Sequence, residues 1–229
     1  MNIREQINLA RHSVVSSDGV LHGRRKIKFG SPAGRSALFY STKNGAFIPV
    51  RTRLQFTYCF FLEADPNVSA YRTAAIEIDL GARKLFPDFL VWDAAGQPFV
   101  RCVIHSTRAA SPCTLSNHAR MARALSAANV GFELVTEKEL GPRSATDWLK
   151  QAYNRGGSTF TREVTLSFAL DMLERIPAEE RTVSTVQSYL YRDNLPCGSL
   201  EAALFHGRLR IKDNGPIVPD ALVEMIRAD

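Results

Sequence analysis

The stretch Phe86-Pro87-Asp88-Phe89-Leu90-Val91 places one carboxylate at the start of an apolar strand. A turn follows at 94–97, and a second apolar strand runs over Phe99-Val100-Arg101-Cys102-Val103-Ile104-His105-Ser106. Because side chains alternate along a strand, Val103 and His105 share one face of the second strand. We expect that face to lie beside Asp88.

This pattern matches half of a metal-dependent nuclease site. In such a site an Asp and a Glu-x-Lys lie on adjacent strands, and the carboxylates hold Mg²⁺. The metal activates water and neutralises charge at the scissile phosphate, while the lysine steadies the nucleophile. Here the Glu and Lys positions are Val103 and His105. The sequence therefore predicts where a nuclease site would lie and indicates that most of its ligands have changed.

Length and composition favour a soluble globular protein of one large or two small domains. The chain has 229 residues, of which 45% are hydrophobic and 23% charged. It has no apolar run of the roughly 20 residues that span a bilayer, and its polar start lacks the apolar core of a signal peptide. We expect a cytoplasmic protein with no membrane partner.

The four cysteines are Cys59, Cys102, Cys113 and Cys197. They form no Cys-x-x-Cys pair and lie in or beside apolar segments, so the sequence predicts buried thiols rather than a zinc site or a disulfide framework.

Positive charge favours a polyanionic partner such as double-stranded DNA. The net charge is +6 and the pI is about 9.3. One cluster of cations precedes the first clearly predicted helix, where a basic arm over residues 1–36 could follow phosphates or simply be solvated. Its candidate DNA-binding residues are Arg24, Arg25, Lys26, Lys28 and Arg35.

Local patterns predict an α/β (α+β) domain with a central mixed sheet over residues 37–150. Asn44-Gly45 supplies the positive φ angles of a tight hairpin turn, and apolar residues recur at helical spacing after it. The predicted order is a hairpin around Asn44-Gly45, a helix over 51–63, a three-strand meander beginning with 74–80, a helix capped by Ser116 and a strand over 132–135.

A second, smaller domain is predicted over residues 161–229, after a linker at 151–160 that contains Gly156-Gly157. Helices are expected over 162–175 and 183–191, and Ser199 begins a third helix. The strand Arg208-Leu209-Arg210-Ile211-Lys212 then alternates basic and apolar residues before a turn at 213–216. This order resembles a winged helix, in which the third helix enters a DNA groove and Arg208, Arg210 and Lys212 contact phosphates. Small winged domains also bind proteins, so both uses stay open.

Together these segments resemble TnsA, the endonuclease subunit of Tn7-like transposons, over most of the chain. The matching stretches are Ser41-Thr42-Lys43-Asn44-Gly45, Arg51-Thr52-Arg53-Leu54-Gln55, Leu62-Glu63-Ala64-Asp65-Pro66-Asn67-Val68 and the Pro-Asp strand. The resemblance implies a restriction-endonuclease-like domain followed by a winged-helix domain. It also implies double-stranded DNA, a DDE transposase, an AAA+ regulator and an active nuclease paralogue as partners.

The resemblance also identifies the site positions as Gln55, Asp88, Val103 and His105. Asp88 alone keeps the residue that the family uses, and a single carboxylate rarely holds Mg²⁺ without substrate phosphates. We therefore expect a catalytically degenerate nuclease-fold protein that needs no cofactor and binds DNA, transposition partners or both. No residue is assigned as catalytic, and Asp88 is the one candidate metal ligand.

Two alternatives remain open from sequence. In the first, the protein is an active Mg²⁺- or Mn²⁺-dependent endonuclease that cuts at transposon ends with a rearranged site. Glu77 and Asp79 alternate on the predicted preceding strand and could supply an outside carboxylate, and His105 could bind a softer metal or a phosphate. In the second, the protein is an adaptor that binds other proteins and not DNA.

Overall fold

A computed structural model describes residues 1–13, 36–81, 83–157, 167, 170–196, 198–212 and 217–226. The chain divides into two compact units. The first consists of Met1–Leu62 and Asn67–Gly141, and the second of Glu63–Pro66 and Pro142–Asp229. Among the described residues, no helix combines the length and apolar composition that a bilayer span requires.

The first unit contains the predicted hairpin. Strands β1 (Ala37–Ser41) and β2 (Ala46–Val50) are antiparallel, with Ser41 opposite Ala46. Gly45 has φ +59°, and Asn44 donates its backbone and side-chain N–H groups to the Ser41 hydroxyl. The local turn chemistry of Asn44-Gly45 is therefore sufficient to set this element.

Helix α2 (Arg53–Ala64) follows the hairpin and confirms the helix predicted there. The Thr52 hydroxyl accepts the Gln55 N–H at 3.1 Å, which satisfies one free donor of the first turn. Phe56 and Phe60 pack edge to face against Phe39 of β1, with ring centroids 5.4 and 5.0 Å away. Aromatic packing thus holds the helix against the hairpin.

The first unit also contains a four-stranded mixed sheet, as predicted. Its order is β3-β6-β7-β8, formed by Val68–Thr73, Phe89–Asp93, Pro98–Val103 and Gly131–Val135. The β7 and β8 strands are parallel, whereas the other pairs are antiparallel. The parallel pair is connected through helix α3 (Ser106–Ala109) and helix α4 (Pro112–Ala127).

The first strand of the predicted meander was misplaced. Val68–Thr73, and not residues 74–80, pairs with β6. Ala74 has φ +46°, and its N–H donates to the Asp88 carbonyl, so the chain turns away from the sheet there. Two short strands then form a separate hairpin, β4 (Ile78–Asp79) and β5 (Lys84–Leu85).

Helix α4 covers one face of the sheet. Leu90 and Trp92 of β6 and Cys102 of β7 belong to the same core as Met121 and Leu125 of α4. The helix begins earlier than predicted, because the Ser111 hydroxyl accepts the Thr114 N–H and Pro112 occupies the first turn, so Ser116 is not the cap.

The N-terminal segment begins with a helix that the basic-arm interpretation of residues 1–36 did not include. This helix, α1 (Ile3–His12), is capped by Asn2. Its Ile7 packs in the same core as Trp92, and the Gln6 side chain exchanges two hydrogen bonds with the backbone of Glu77.

The second unit has its own apolar core. Helix α5 (Arg143–Ala152) continues into a π-helical turn at Tyr153–Gly157, so the predicted linker at 151–160 is helical as far as Gly157. Residues 170–173 end the helix expected over 162–175, and the earlier part of that segment lies outside the described residues. The remaining elements are α6 (Val183–Arg192), α7 (Ser199–Phe205), β9 (Leu209–Ile211) and β10 (Val223–Met225).

Gly156 has a packing role in this unit. A Cβ at Gly156 would lie 2.3 Å from the Ala202 nitrogen, and one at Gly198 would lie 2.1 Å from the Arg155 carbonyl oxygen. Only glycine permits such close approach of two backbones. Gly156, predicted to lie in a linker, is thus part of a tight contact between the π-helical turn and the start of α7.

Candidate functional site

Asp88 lies just before β6, and both of its carboxylate oxygens accept hydrogen bonds. Oδ1 is 2.7 Å from Arg51 Nη2, and Oδ2 accepts the Val103 N–H at 2.8 Å. The side chain is 14% exposed and that of Arg51 is 30% exposed. A largely buried carboxylate is therefore paired with one cation and one backbone donor, which is how buried charges are commonly accommodated.

Burial shifts the pKa values of Asp88 and of the neighbouring Cys102. Burial raises the pKa of Asp88 above its ordinary value, and the Arg51 guanidinium and the Val103 N–H oppose that rise. Burial, with the Asp88 charge nearby, also raises the pKa of the Cys102 thiol to about 12. That thiol is protonated and unreactive at neutral pH.

Gln55 joins the same group through Arg51. Its side-chain oxygen accepts the Arg51 N–H at 2.8 Å, and the residue is 5% exposed. Arg51 therefore bonds Gln55 through its backbone and Asp88 through its side chain. The structure thus brings together Gln55, Asp88 and Val103, which are three of the four positions predicted from sequence.

His105, the fourth position, makes a different contact. Its exposed ring places Nδ1 3.3 Å from Glu137 Oε2. Glu137 also accepts the Ser106 hydroxyl at 2.5 Å and the Ser106 N–H at 2.9 Å. These hydrogen bonds lower the pKa of Glu137 to about 2. His105 and Glu137 follow the parallel strands β7 and β8, so this contact joins the ends of those strands.

Glu77 and Asp79, which were predicted as possible outside carboxylates for the Asp88 site, are bonded to other residues. Glu77 Oε1 is 2.7 Å from Lys84 Nζ, and Asp79 Oδ1 accepts the Gly81 N–H at 2.8 Å. Both contacts lie within the segment that carries β4 and β5. The hydrogen bonds and ion pairs described for Glu77 and Asp79 do not include Asp88.

The residues around Asp88 do not fit a resident Mg²⁺ or Mn²⁺. A hard divalent cation needs several free oxygen ligands, whereas here the Asp88 oxygens and the Gln55 side-chain oxygen already accept hydrogen bonds and Val103 offers only an alkyl group. Within the described part of the chain, no group of three or more His, Cys, Asp or Glu residues is placed to hold a metal ion.

Sequence reasoning missed two residues of this neighbourhood. Arg51 was assigned to a helix start, and its partner Asp88 is 37 positions away. Burial lowers the pKa of the His118 imidazole on α4 below the ordinary value, and the nearby Asp88 charge opposes that decrease. Its Nδ1 is buried with no hydrogen-bond partner among the described residues. A cation directly after the apolar β2 strand was the available signal for Arg51; nothing in the local sequence identified His118.

The predicted DNA-binding cations can be placed only in part. Arg24, Arg25, Lys26, Lys28 and Arg35 lie outside the described residues. Arg208 and Lys212 are exposed beside and after β9, whereas Arg210 Nε is 2.8 Å from Glu224 Oε2 on the paired strand. The charge of Arg210 is thus largely offset.

The predicted third helix has no surface for reading a DNA groove. All seven residues of α7, Ser199–Phe205, are buried. Tyr153 packs on Phe205 with ring centroids 5.4 Å apart, and Arg155 is 3.6 Å from the buried Glu201 carboxylate. The π-helical turn therefore packs on α7, and the expectation that this buried helix enters a DNA groove is wrong.

The cysteines agree only in part with the predicted buried thiols. Cys59 and Cys102 are buried, whereas Cys113 is exposed, and Cys197 lies outside the described residues.

No family model and no curated protein matches this sequence.

Proposed function

We propose that this chain is a catalytically degenerate, TnsA-like nuclease-fold protein that binds double-stranded DNA without cutting it. In this proposal the first unit is a restriction-endonuclease-like domain and the second a winged-helix domain. The DDE transposase, AAA+ regulator and active nuclease paralogue implied by the resemblance are its proposed partners in a mobile-element complex.

The observation that carries the proposal is the replacement of ligands around Asp88 by an internal ion pair. The Arg51 guanidinium lies 2.7 Å from the carboxylate. It supplies positive charge where a nuclease of this type would hold its metal, and Gln55 and Val103 add no anionic ligand. An ion pair of this kind stabilises the fold, but it does not generate a nucleophile from water.

Fold and charge support the rest of the proposal. A helix, antiparallel strands, a helical crossover and a parallel strand occur in the order expected for a nuclease core. The net charge of +6 favours phosphate contacts. Because the residues around Asp88 do not fit a metal, the proposal assigns the protein a role in positioning DNA.

A cleavage and binding assay tests the proposal. Purified protein is incubated with labelled duplex DNA in Mg²⁺ or Mn²⁺ over a salt series, and wild type is compared with Asp88→Ala and with Asp93→Ala, at the other end of β6. We expect binding that weakens with salt and no nicking by any protein. Metal-dependent nicking that is lost in Asp88→Ala and kept in Asp93→Ala would establish an active nuclease instead.

The burial of α7 favours a second candidate role for the second unit, which is protein recognition. A winged unit that cannot insert this helix into a groove retains Arg208 and Lys212 as exposed cations of its wing, since the exposed Arg210 is paired with Glu224. Under this role, Arg208→Gln and Lys212→Gln leave the DNA affinity unchanged. A clear loss of affinity in either variant would assign the wing to DNA.

A further inference from the structure

Helix α4 carries exposed arginines and no acidic residue, and these arginines are not among the DNA-binding residues predicted from sequence. No Asp or Glu occurs between Asp93 and Glu133, and α4 lies within that stretch. Arg120 and Arg123 are exposed on α4, and Arg108 is exposed on α3, directly before it. Helical spacing places Arg120 on the same side of α4 as Cys113 and Asn117.

The segment between β4 and β5 adds a fourth arginine to this side. Arg83 Nη1 is 3.9 Å from Cys113 Sγ, and Arg120 Nη2 donates to the Leu80 carbonyl oxygen at 2.7 Å. The segment therefore runs along α4 from its first turn to its middle. We call the exposed set Arg83, Arg108, Arg120 and Arg123 the arginine face.

Neighbouring acids do not cancel the charge of this face. Glu77 is paired with Lys84, and Asp79 accepts the Gly81 N–H. Of these two acids, only Asp79 is left to offset the charge of Arg83. Arg108 and Arg123 make no ion pair with any described residue. The side of α4 on which these arginines lie is thus positively charged.

We propose that the arginine face is the surface on which the first unit contacts the phosphates of duplex DNA. This assignment rests on the proposed function and specifies where DNA lies on the protein. The ten steps from Cys113 to Arg123 span about 15 Å of helix axis, close to the major-groove width of about 12 Å. Arginines at the two ends of this span can therefore reach phosphates across a groove.

Duplex DNA fits this surface better than a single strand. Proteins that hold single strands stack bases on exposed aromatic side chains, and neither α3 nor α4 contains an aromatic residue other than His118. Contacts between guanidinium groups and phosphates carry no sequence information directly. We therefore expect affinity for duplex DNA with little dependence on sequence.

Fluorescence anisotropy with a labelled duplex over a salt series tests the assignment. The variants are Arg108→Gln and Arg123→Gln, both exposed, and the control is Lys138→Gln, which removes the same charge between Glu137 and Glu139. Each arginine variant weakens binding to all duplex sequences and reduces the slope of log affinity against log salt by about 1. The control leaves affinity and slope unchanged.

Three results would overturn the assignment. DNA binding that is unchanged in both arginine variants but lost in Arg208→Gln or Lys212→Gln would assign the DNA contact to the wing. The proposal that the protein binds DNA would then stand, and only the arginine face would be rejected. Competition by poly-glutamate as effective as by unlabelled duplex would indicate an acidic protein partner. No DNA binding by wild type at any salt concentration would reject both this surface and the DNA role.

Discussion

At the scale of single residues, the proposal of a degenerate nuclease site rests on Arg51 and Asp88. In that proposal Asp88 keeps the position of a metal ligand, but its oxygens are bonded to Arg51 and to the Val103 N–H. The pair is partly shielded from water, so loss of either member leaves an uncompensated charge. Asp88 therefore stabilises the native state through Arg51.

A double-mutant cycle measures this coupling. Arg51→Met leaves the Asp88 carboxylate without its cation and is expected to lower the free energy of unfolding by about 1–3 kcal/mol, because Arg51 is partly exposed. Asp88→Asn in the same background removes the remaining charge and is expected to recover part of that loss. Urea unfolding of the two single variants and the double variant gives the coupling energy; strictly additive effects would show that the two side chains do not interact.

His118 makes stability depend on pH. Burial lowers the pKa of its folded-state imidazole, so between that lowered value and the ordinary value of 6.5 the unfolded chain binds more protons than the folded one. Stability must then fall as pH drops through this window. Urea midpoints at pH 7.5 and 5.5 should show a larger loss in wild type than in His118→Phe. The exposed residue His12 supplies the control His12→Asn, which should behave as wild type, and an equal loss in all three proteins would contradict the account.

At the scale of elements, backbone contacts in the second unit determine which surfaces of α7 are exposed. The π-helical turn at Tyr153–Gly157 lies against the start of α7, and Gly156 and Gly198 permit that approach. The same contact buries the α7 surface that DNA recognition would need. The local sequence predicted a linker because paired glycines are usually flexible, whereas here a tertiary contact uses one of them.

Gly156→Ala tests this contact. The new methyl group would meet the Ala202 nitrogen at 2.3 Å, and relief of such overpacking typically costs about 1–3 kcal/mol. Gly131→Ala is the control, since its Cβ would lie 3.5 Å from the Phe99 Cβ, an ordinary contact. Thermal unfolding followed by tryptophan fluorescence in a Trp92→Phe background reports on Trp148 of the second unit. A melting temperature that Gly156→Ala leaves unchanged would show that the close approach is absent.

Elements specified by short-range chemistry could be predicted from sequence, and those specified by distant partners could not. The hairpin at Asn44-Gly45 and the helix after Arg51 depend on local turn and periodicity signals. The first sheet strand was misplaced because Ile76-Glu77-Ile78-Asp79-Leu80 alternates apolar and acidic residues as a strand does, whereas only Ile78–Asp79 pairs, and with β5. The strand Val68–Thr73 becomes recognisable only through its pairing with β6.

At the scale of the whole molecule, the mixed α/β character and central mixed sheet of the first unit were predicted, whereas the partners of Asp88 and His105 were not. Sequence placed Gln55, Asp88 and Val103 near one another through a family pattern, and the structure brings them together. It could not show that Arg51 pairs with Asp88 or that His105 contacts Glu137, since both contacts join segments far apart in the chain. Such pairings depend on the tertiary fold.

Isothermal titration of the purified protein with Mn²⁺, with and without duplex DNA, tests most directly whether the Arg51–Asp88 pair has replaced a metal. Asp88→Ala is titrated in parallel. The account predicts no saturable heat from wild type in either condition, because Asp88 is paired and no group of three or more His, Cys, Asp or Glu among the described residues is placed to hold a metal ion. Saturable Mn²⁺ binding by wild type that disappears in Asp88→Ala would contradict it and establish a working metal site.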